Sequence, residues 1–152
     1  LWRRGCEGAE MRPSREERWE YQQNASDELC TAWLMAWRAS RDLAIGLETK
    51  GQMKGLVQDA ETMSELIRTV EMIRRAVAKT GEGIEKLKGN SIKEARKHAR
   101  QAFTLLSEAK NTQNDLVHHS AGDGFRNIVV CLRRCERAIE NVGRAIELLG
   151  KC

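Results

Sequence analysis

The sequence predicts an all-α fold, an antiparallel up-down-up-down four-helix bundle with long helices, and three observations carry that prediction. Apolar residues recur every ~3.5–3.6 residues through four successive segments, the period of one helix face. The breaks between segments are short and hold glycines and capping residues, so neighbouring helices must run antiparallel. Only one proline, Pro13, occurs in 152 residues, and no segment alternates apolar and polar residues as a strand would.

The first helix is expected over about 14–49. It opens at PSREE, where Ser14 and Glu17 have the spacing of a capping box. Its apolar stripe reads Trp19, Leu29/Cys30, Trp33, Trp37, Leu43/Ala44 and Leu47, and Gly51 follows as its terminator. Around Trp33-Leu34-Met35-Ala36-Trp37 the apolar arc is too wide for one seam. The expectation is that this helix is the most buried element; the alternative is a second face turned to a partner.

The second helix is expected over about 56–88, starting after Gly55, with Leu56, Met63, Leu66/Ile67, Val70, Ile73, Val77, Ile84 and Leu87 in the seam. That seam crosses KTGEGIEKL without a phase break, so the helix is expected to run through Gly81 and Gly83, although each glycine costs ~1 kcal/mol relative to alanine. The third helix, about 91–119, follows Gly89, with Ser91 and Glu94 at capping-box spacing and an alanine-rich inner face of Ile92, Ala95, Ala99, Ala102/Phe103, Leu106, Ala109 and Leu116/Val117. The fourth, about 124–149, carries Phe125, Ile128/Val129, Leu132, Cys135, Ile139, Val142, Ile146 and Leu149. Residues 14–152 thus read as a single bundle domain behind an N-terminal extension, 1–13, and the length suits one core.

No apolar run reaches the ~18–20 residues that span a bilayer, the densest being LCTAWLMAW, so a soluble chain is expected. The chain opens at Leu1 with its first methionine at Met11, which points to a processed product or a fragment. Five cysteines, an odd number without the spacing of a disulfide framework, favour an intracellular or organellar protein over a secreted one. Cys30, Cys131 and Cys135 fall at or beside apolar helix positions and read as small buried thiols.

NDLVHHSAGDGF, residues 114–125, is the one stretch that invites an active-site reading. His118 and His119 are adjacent, so on a helix they diverge by ~100° and cannot share an ion as an i, i+4 pair does. In the hairpin, Cys131 is expected opposite residue 113, ~9 Å along the axis from His119, too far for a shared metal. Asn114, Asp115 and the glycines Gly122 and Gly124, with Asp123 as a cap, read better as a connector between helices. No HExxH, CxxC or ExxH pattern occurs, so no metal, cofactor or small-molecule substrate is assigned.

NDLVHH resembles the HEPN superfamily of helical ribonucleases, whose motif sets an arginine a few residues before a histidine, often as RNxxxH. The resemblance implies His118 as the histidine of such a site, but Asn111, Thr112 and Gln113 stand where the arginine belongs. RRCER, residues 133–137, is similar to the RRAER of the trimeric cobalamin adenosyltransferases, and KTGEG to their phosphate loop, at a spacing far too short for that family.

Charge is the remaining lead. Residues 91–152 carry 11 basic and 7 acidic side chains, an excess that equals the whole net charge of +4. The cations concentrate as Lys86, Lys88, Lys93, Arg96, Lys97 and Arg100 around the second turn, and Arg133, Arg134 and Arg137 on the fourth helix. No aromatic side chain is interleaved with them for base stacking. With no complete catalytic motif, the expected function is a non-enzymatic interaction or assembly module, an accessory subunit that binds a protein partner or its own copies. It would use this basic face and a docking surface at Trp33 and Trp37. The alternative is a bundle that binds the RNA or DNA backbone, and the third reading is a degenerate HEPN-like ribonuclease.

Overall fold

The computed structural model describes residues 12–48, 60–117 and 123–152. Among them are four helices, α1 (Arg15–Glu48), α2 (Ala60–Lys88), α3 (Ile92–Val117) and α4 (Asp123–Gly150), and no strand. Each packs against its two neighbours in a ring, α1 on α2, α2 on α3, α3 on α4 and α4 on α1. The contacts run in opposite directions along every pair. From Arg134 to Asn141 and Arg144 on α4, and to Lys151 just past its end, the partners on α1 step back from Asp42 to Glu28 to Tyr21. This is the antiparallel bundle expected from the apolar period.

The fully buried positions form an unbroken alternation of three and four on every helix. On α1 they are Ala25, Leu29, Ala32, Ala36, Ala39 and Leu43; on α3, Ala95, Ala99, Ala102, Leu106, Ala109, Gln113 and Leu116; on α4, Ile128, Cys131, Cys135, Ala138, Val142, Ala145 and Leu149. A strict 3.5-residue repeat of this kind keeps one seam facing inward with helices crossing at ~20°. Alanine dominates the seam, so the helices approach closely, and the longer side chains Leu132, Ile139 and Ile146 lie half-buried along its flank.

This corrects the expected stripe of α1. Trp19, Cys30, Trp33 and Trp37 are exposed, and Ala25, Ala32, Ala36 and Ala39 take the interior beside Leu29 and Leu43. Two stripes one residue apart share the helical period; the alanine stripe wins because an indole does not fit between closely approaching backbones. Helix α1 is therefore not the most buried element, and Cys30 is not a core thiol. Cys131 and Cys135 are buried, as expected. On α2, Ile67 is likewise exposed while Leu66, Val70, Ile73 and Leu87 are buried, and on α3 Phe103 lies outside the seam.

Ser14 caps α1, with the Glu17 N–H donating to Ser14 Oγ at 3.1 Å; the Glu17 carboxylate accepts from the Ser14 hydroxyl at 3.3 Å rather than from the Ser14 N–H, so the reciprocal half of the box is replaced by a side-chain bond. Helix α2 continues through Gly81 and Gly83, and at Gly83 a Cβ would stand 3.4 Å from the Ala95 carbonyl oxygen, so the glycine permits the close approach of α3. The α2 terminus differs from expectation. The left-handed residue is Asn90, φ 60°, with the Ser91 N–H donating to the Lys86 carbonyl and the Asn90 N–H to that of Leu87, a Schellman closure one residue beyond Gly89. Asparagine tolerates this conformation, which frees Gly89 from the role. The hydroxyl of Ser91 makes no hydrogen bond to Glu94, so the second capping box does not form among the described residues. The expected features at Gly51, Gly55 and Leu56, and at His118, His119 and Gly122, lie outside the described residues.

Candidate functional site

With the α1 seam filled by alanine and leucine, its tryptophans are left on the outside. Trp33 and Trp37, one turn apart, stack with ring centroids 6.3 Å apart and planes 6° from parallel. Arg41, a further turn on, lays its guanidinium 5.0 Å from the Trp37 ring centroid, a cation–π contact. The ladder is set by spacing at i, i+4 and i+8, which lines up side chains along a helix surface. Trp33 leans toward α2, where a Cβ on Gly81 would stand 3.7 Å from its Nε1. The two rings remain 38% and 39% exposed.

Beside this ladder runs a groove of about 340 Å³ between α1 and α2, lined by Trp37, Ser40, Arg41, Ala44, Ile45, Arg74 and Val77. Ile45 is 47% exposed, so apolar surface continues past the rings. Arg41 has only a long contact to Asp42, 3.8 Å, with half its side chain in solvent, an ion pair of little energetic weight. The groove thus sets apolar side chains, Trp37, Ala44, Ile45 and Val77, beside a hydroxyl and two cations, Ser40, Arg41 and Arg74. Sequence reasoning placed Trp33 and Trp37 here as a docking surface but missed Arg41 and Arg74. The signal for Arg41 was its place one turn beyond Trp37, whereas Arg74 comes from another helix.

The basic residues separate into three groups. Lys93, Arg96, Lys97 and Arg100 line one open groove of about 830 Å³, together with Gln101 and Thr104 of α3 and Leu149, Gly150 and Cys152 at the end of α4. Within it the Arg96 Nε–H donates to the Ile146 carbonyl at 3.3 Å, and its guanidinium lies over Gly150, where a Cβ would meet it at 2.8 Å. A cation there also complements the negative end of the α4 dipole. Lys86 and Lys88 stand in the last turn of α2 and do not line this groove; Lys88 pairs with Glu85 at 3.4 Å. On α4, Arg134 is turned to α1 and paired with Asp42, while Arg133 and Arg137 are exposed. Phe103 lies beside Gly143, which puts Arg137 level with residue 109 of α3, ~13 Å along the axis from Arg100.

Among the buried polar residues, Thr69 and Thr80 bond carbonyls of their own helix, whereas Gln113 reaches across the interior to α4. Its Nε2 donates to the Ala109 carbonyl at 3.1 Å and to Cys135 Sγ at 3.5 Å, and its Oε1 is buried without a partner. Pairing of Gln113 with Cys135 corrects the expected register, which set Cys131 opposite residue 113. The heptad seams interlock one turn further along, because knob packing rather than connector counting sets the register. A hydrogen bond to Cys135, with burial, holds the Cys131 thiol well above its ordinary pKa; Cys135 is lowered by accepting that bond and the Gln113 N–H, against the opposing effect of burial.

Among the described residues no three His, Cys, Asp or Glu side chains gather as metal ligands, and no helix is long and apolar enough to cross a membrane. His118, the histidine of the HEPN-like stretch, lies outside them. No family model, curated protein or solved structure matches the chain. Among the described residues the geometry thus offers two grooves between helices, one aromatic and cationic on α1 and α2 and one strongly basic on α3 and α4, beside a third hollow on α1 itself, lined by Arg15, Glu16, Trp19 and Glu20.

Proposed function

We propose that this chain is a non-enzymatic helical-bundle interaction module, an accessory subunit of a larger assembly, that docks a protein partner on its α1–α2 face. The observation that carries the reading is the stacked, half-exposed Trp33–Trp37 pair capped by Arg41. Two large rings kept out of an available core and held rigid against each other present apolar area at small entropic cost, the composition of a binding hot spot. The lining selects the partner. Arg41 and Arg74 stand beside the apolar side chains of Trp37, Ala44, Ile45 and Val77, so an amphipathic helix with aliphatic anchors and flanking carboxylates complements the groove.

The test compares wild-type chain with Trp33→Ala/Trp37→Ala in native purification followed by mass measurement of the intact complex. A partner present at fixed stoichiometry in the wild type, protecting tryptophan emission from quenching, is expected to weaken ~100-fold or more in the double variant, since each hot-spot tryptophan contributes ~2 kcal/mol or more. A partner retained undiminished by the double variant would overturn the reading. Arg133→Ala/Arg137→Ala, at exposed positions on α4 and away from this face, serves as the control.

A further inference from the structure

The second groove is independent of that reading. We propose that the groove between the first three turns of α3 and the end of α4 binds a compact ligand bearing clustered phosphates. Lys93, Arg96, Lys97 and Arg100 fall at i, i+3, i+4 and i+7, on one side of α3 within ~10 Å of rise. None of the four has a carboxylate within 4 Å among the described residues, so no direct ion pair offsets their charge. Among the described residues Glu94 is the one acidic side chain lining the groove. Four like charges gathered against one opposite charge repel each other in the free protein, and a polyanion relieves that repulsion as it binds.

Two features make the site more than a charged face. Arg96 is held by its bond to the Ile146 carbonyl and by the space over Gly150, so one guanidinium is already oriented, and guanidinium matches phosphate bidentately. Ile92 and Leu149 supply an apolar floor, and the volume, about 830 Å³, is that of a small-ligand site.

A long nucleic acid fits the groove less well. The positive track is interrupted after Arg100: Phe103, Thr104 and Glu108 are the next exposed side chains on α3, and the next cation, Lys110, is half-buried and ten residues, ~15 Å, further along. No aromatic ring lines the groove, so bases of a single strand would find nothing to stack on. The separation of Arg133 and Arg137 from these cations leaves a gap that a backbone contact surface would need filled. Vicinal phosphates are the shared chemistry of a soluble polyphosphate and of a phosphoinositide headgroup, and the experiment distinguishes these sources.

Tripolyphosphate and inositol hexakisphosphate are titrated calorimetrically into the full chain, beside phosphatidylcholine vesicles with and without phosphatidylinositol bisphosphate, and duplex RNA. The variants are Lys97→Glu/Arg100→Glu, its milder form Lys97→Gln/Arg100→Gln should the first fail to fold, and Arg133→Glu/Arg137→Glu as the control. Expected is salt-sensitive one-to-one binding of a soluble polyphosphate, of the phosphoinositide vesicles, or of both. The groove variant should weaken it ~100-fold, tenfold for each charge-assisted contact removed, and the control less than about twofold. Binding by vesicles alone assigns the headgroup, and binding of the soluble probes assigns a free polyphosphate. Absence of binding to every phosphate probe overturns the proposal, as does equal weakening by the two variant pairs. Tightest binding to duplex RNA with dependence on Arg133 and Arg137 replaces it with a backbone-binding surface.

Discussion

Replacing Gln113 by methionine should stabilise this protein, although it removes two hydrogen bonds. The side chain is fully buried, and its Oε1 has no partner. A buried polar oxygen without a hydrogen bond costs ~1–3 kcal/mol. Against this stand the two bonds of Nε2. The Ala109 carbonyl also takes the main-chain bond of its own helix, so it stays satisfied when the side chain goes, and sulfur is a weak acceptor at 3.5 Å. Together these bonds contribute ~1 kcal/mol. Methionine is unbranched, of similar length and adaptable, so the cavity is small. The net expectation is a gain of about 1 kcal/mol, which in a chain of this size raises Tm by ~2–4 °C.

Thermal unfolding followed by circular dichroism, with urea midpoints at unchanged slope, measures it. Gln113→Ala is the companion, expected to lose ~2 kcal/mol because it removes the polar group but opens a cavity. Methionine less stable than glutamine by 1 kcal/mol or more would refute the reasoning, since it would mean that Oε1 is hydrogen-bonded in solution.

Three further outcomes test the local arguments. Gly81→Ala should raise stability by about 0.5–1 kcal/mol in urea unfolding, because the added methyl meets only the Trp33 ring at ordinary contact distance, 3.7 Å, and helix propensity improves. Asn90→Ala should lower it by ~1 kcal/mol while Asn90→Gly changes it by less than about 0.5 kcal/mol, because position 90 is left-handed. Mass-resolved alkylation of the folded chain should modify Cys30 at once and Cys131 and Cys135 only as fast as the bundle opens, since the first thiol is exposed and the other two are buried.

What the sequence determined by itself is the set of elements. The 3.5-residue apolar repeat, the Ser14 cap and the unbroken phase across Gly81 and Gly83 are local signals, and each survives because it needs only neighbours within one or two turns. The tertiary structure decided what depends on distance between helices. On α1, an alanine stripe and a tryptophan stripe have the same period, and hydrophobicity favours the tryptophans; close packing of backbones excludes them and leaves Trp33 and Trp37 as surface. The nine cations that read as one basic face are split by the same means. Helix rotation and register send Arg134 to Asp42, leave Arg137 a long step away, and gather Lys93, Arg96, Lys97 and Arg100 in one groove. Gln113 sits three and four residues from Leu116 and Ala109 on the seam, so its burial was legible there. Its unpaired oxygen was not, because that depends on which atoms of α4 arrive beside it.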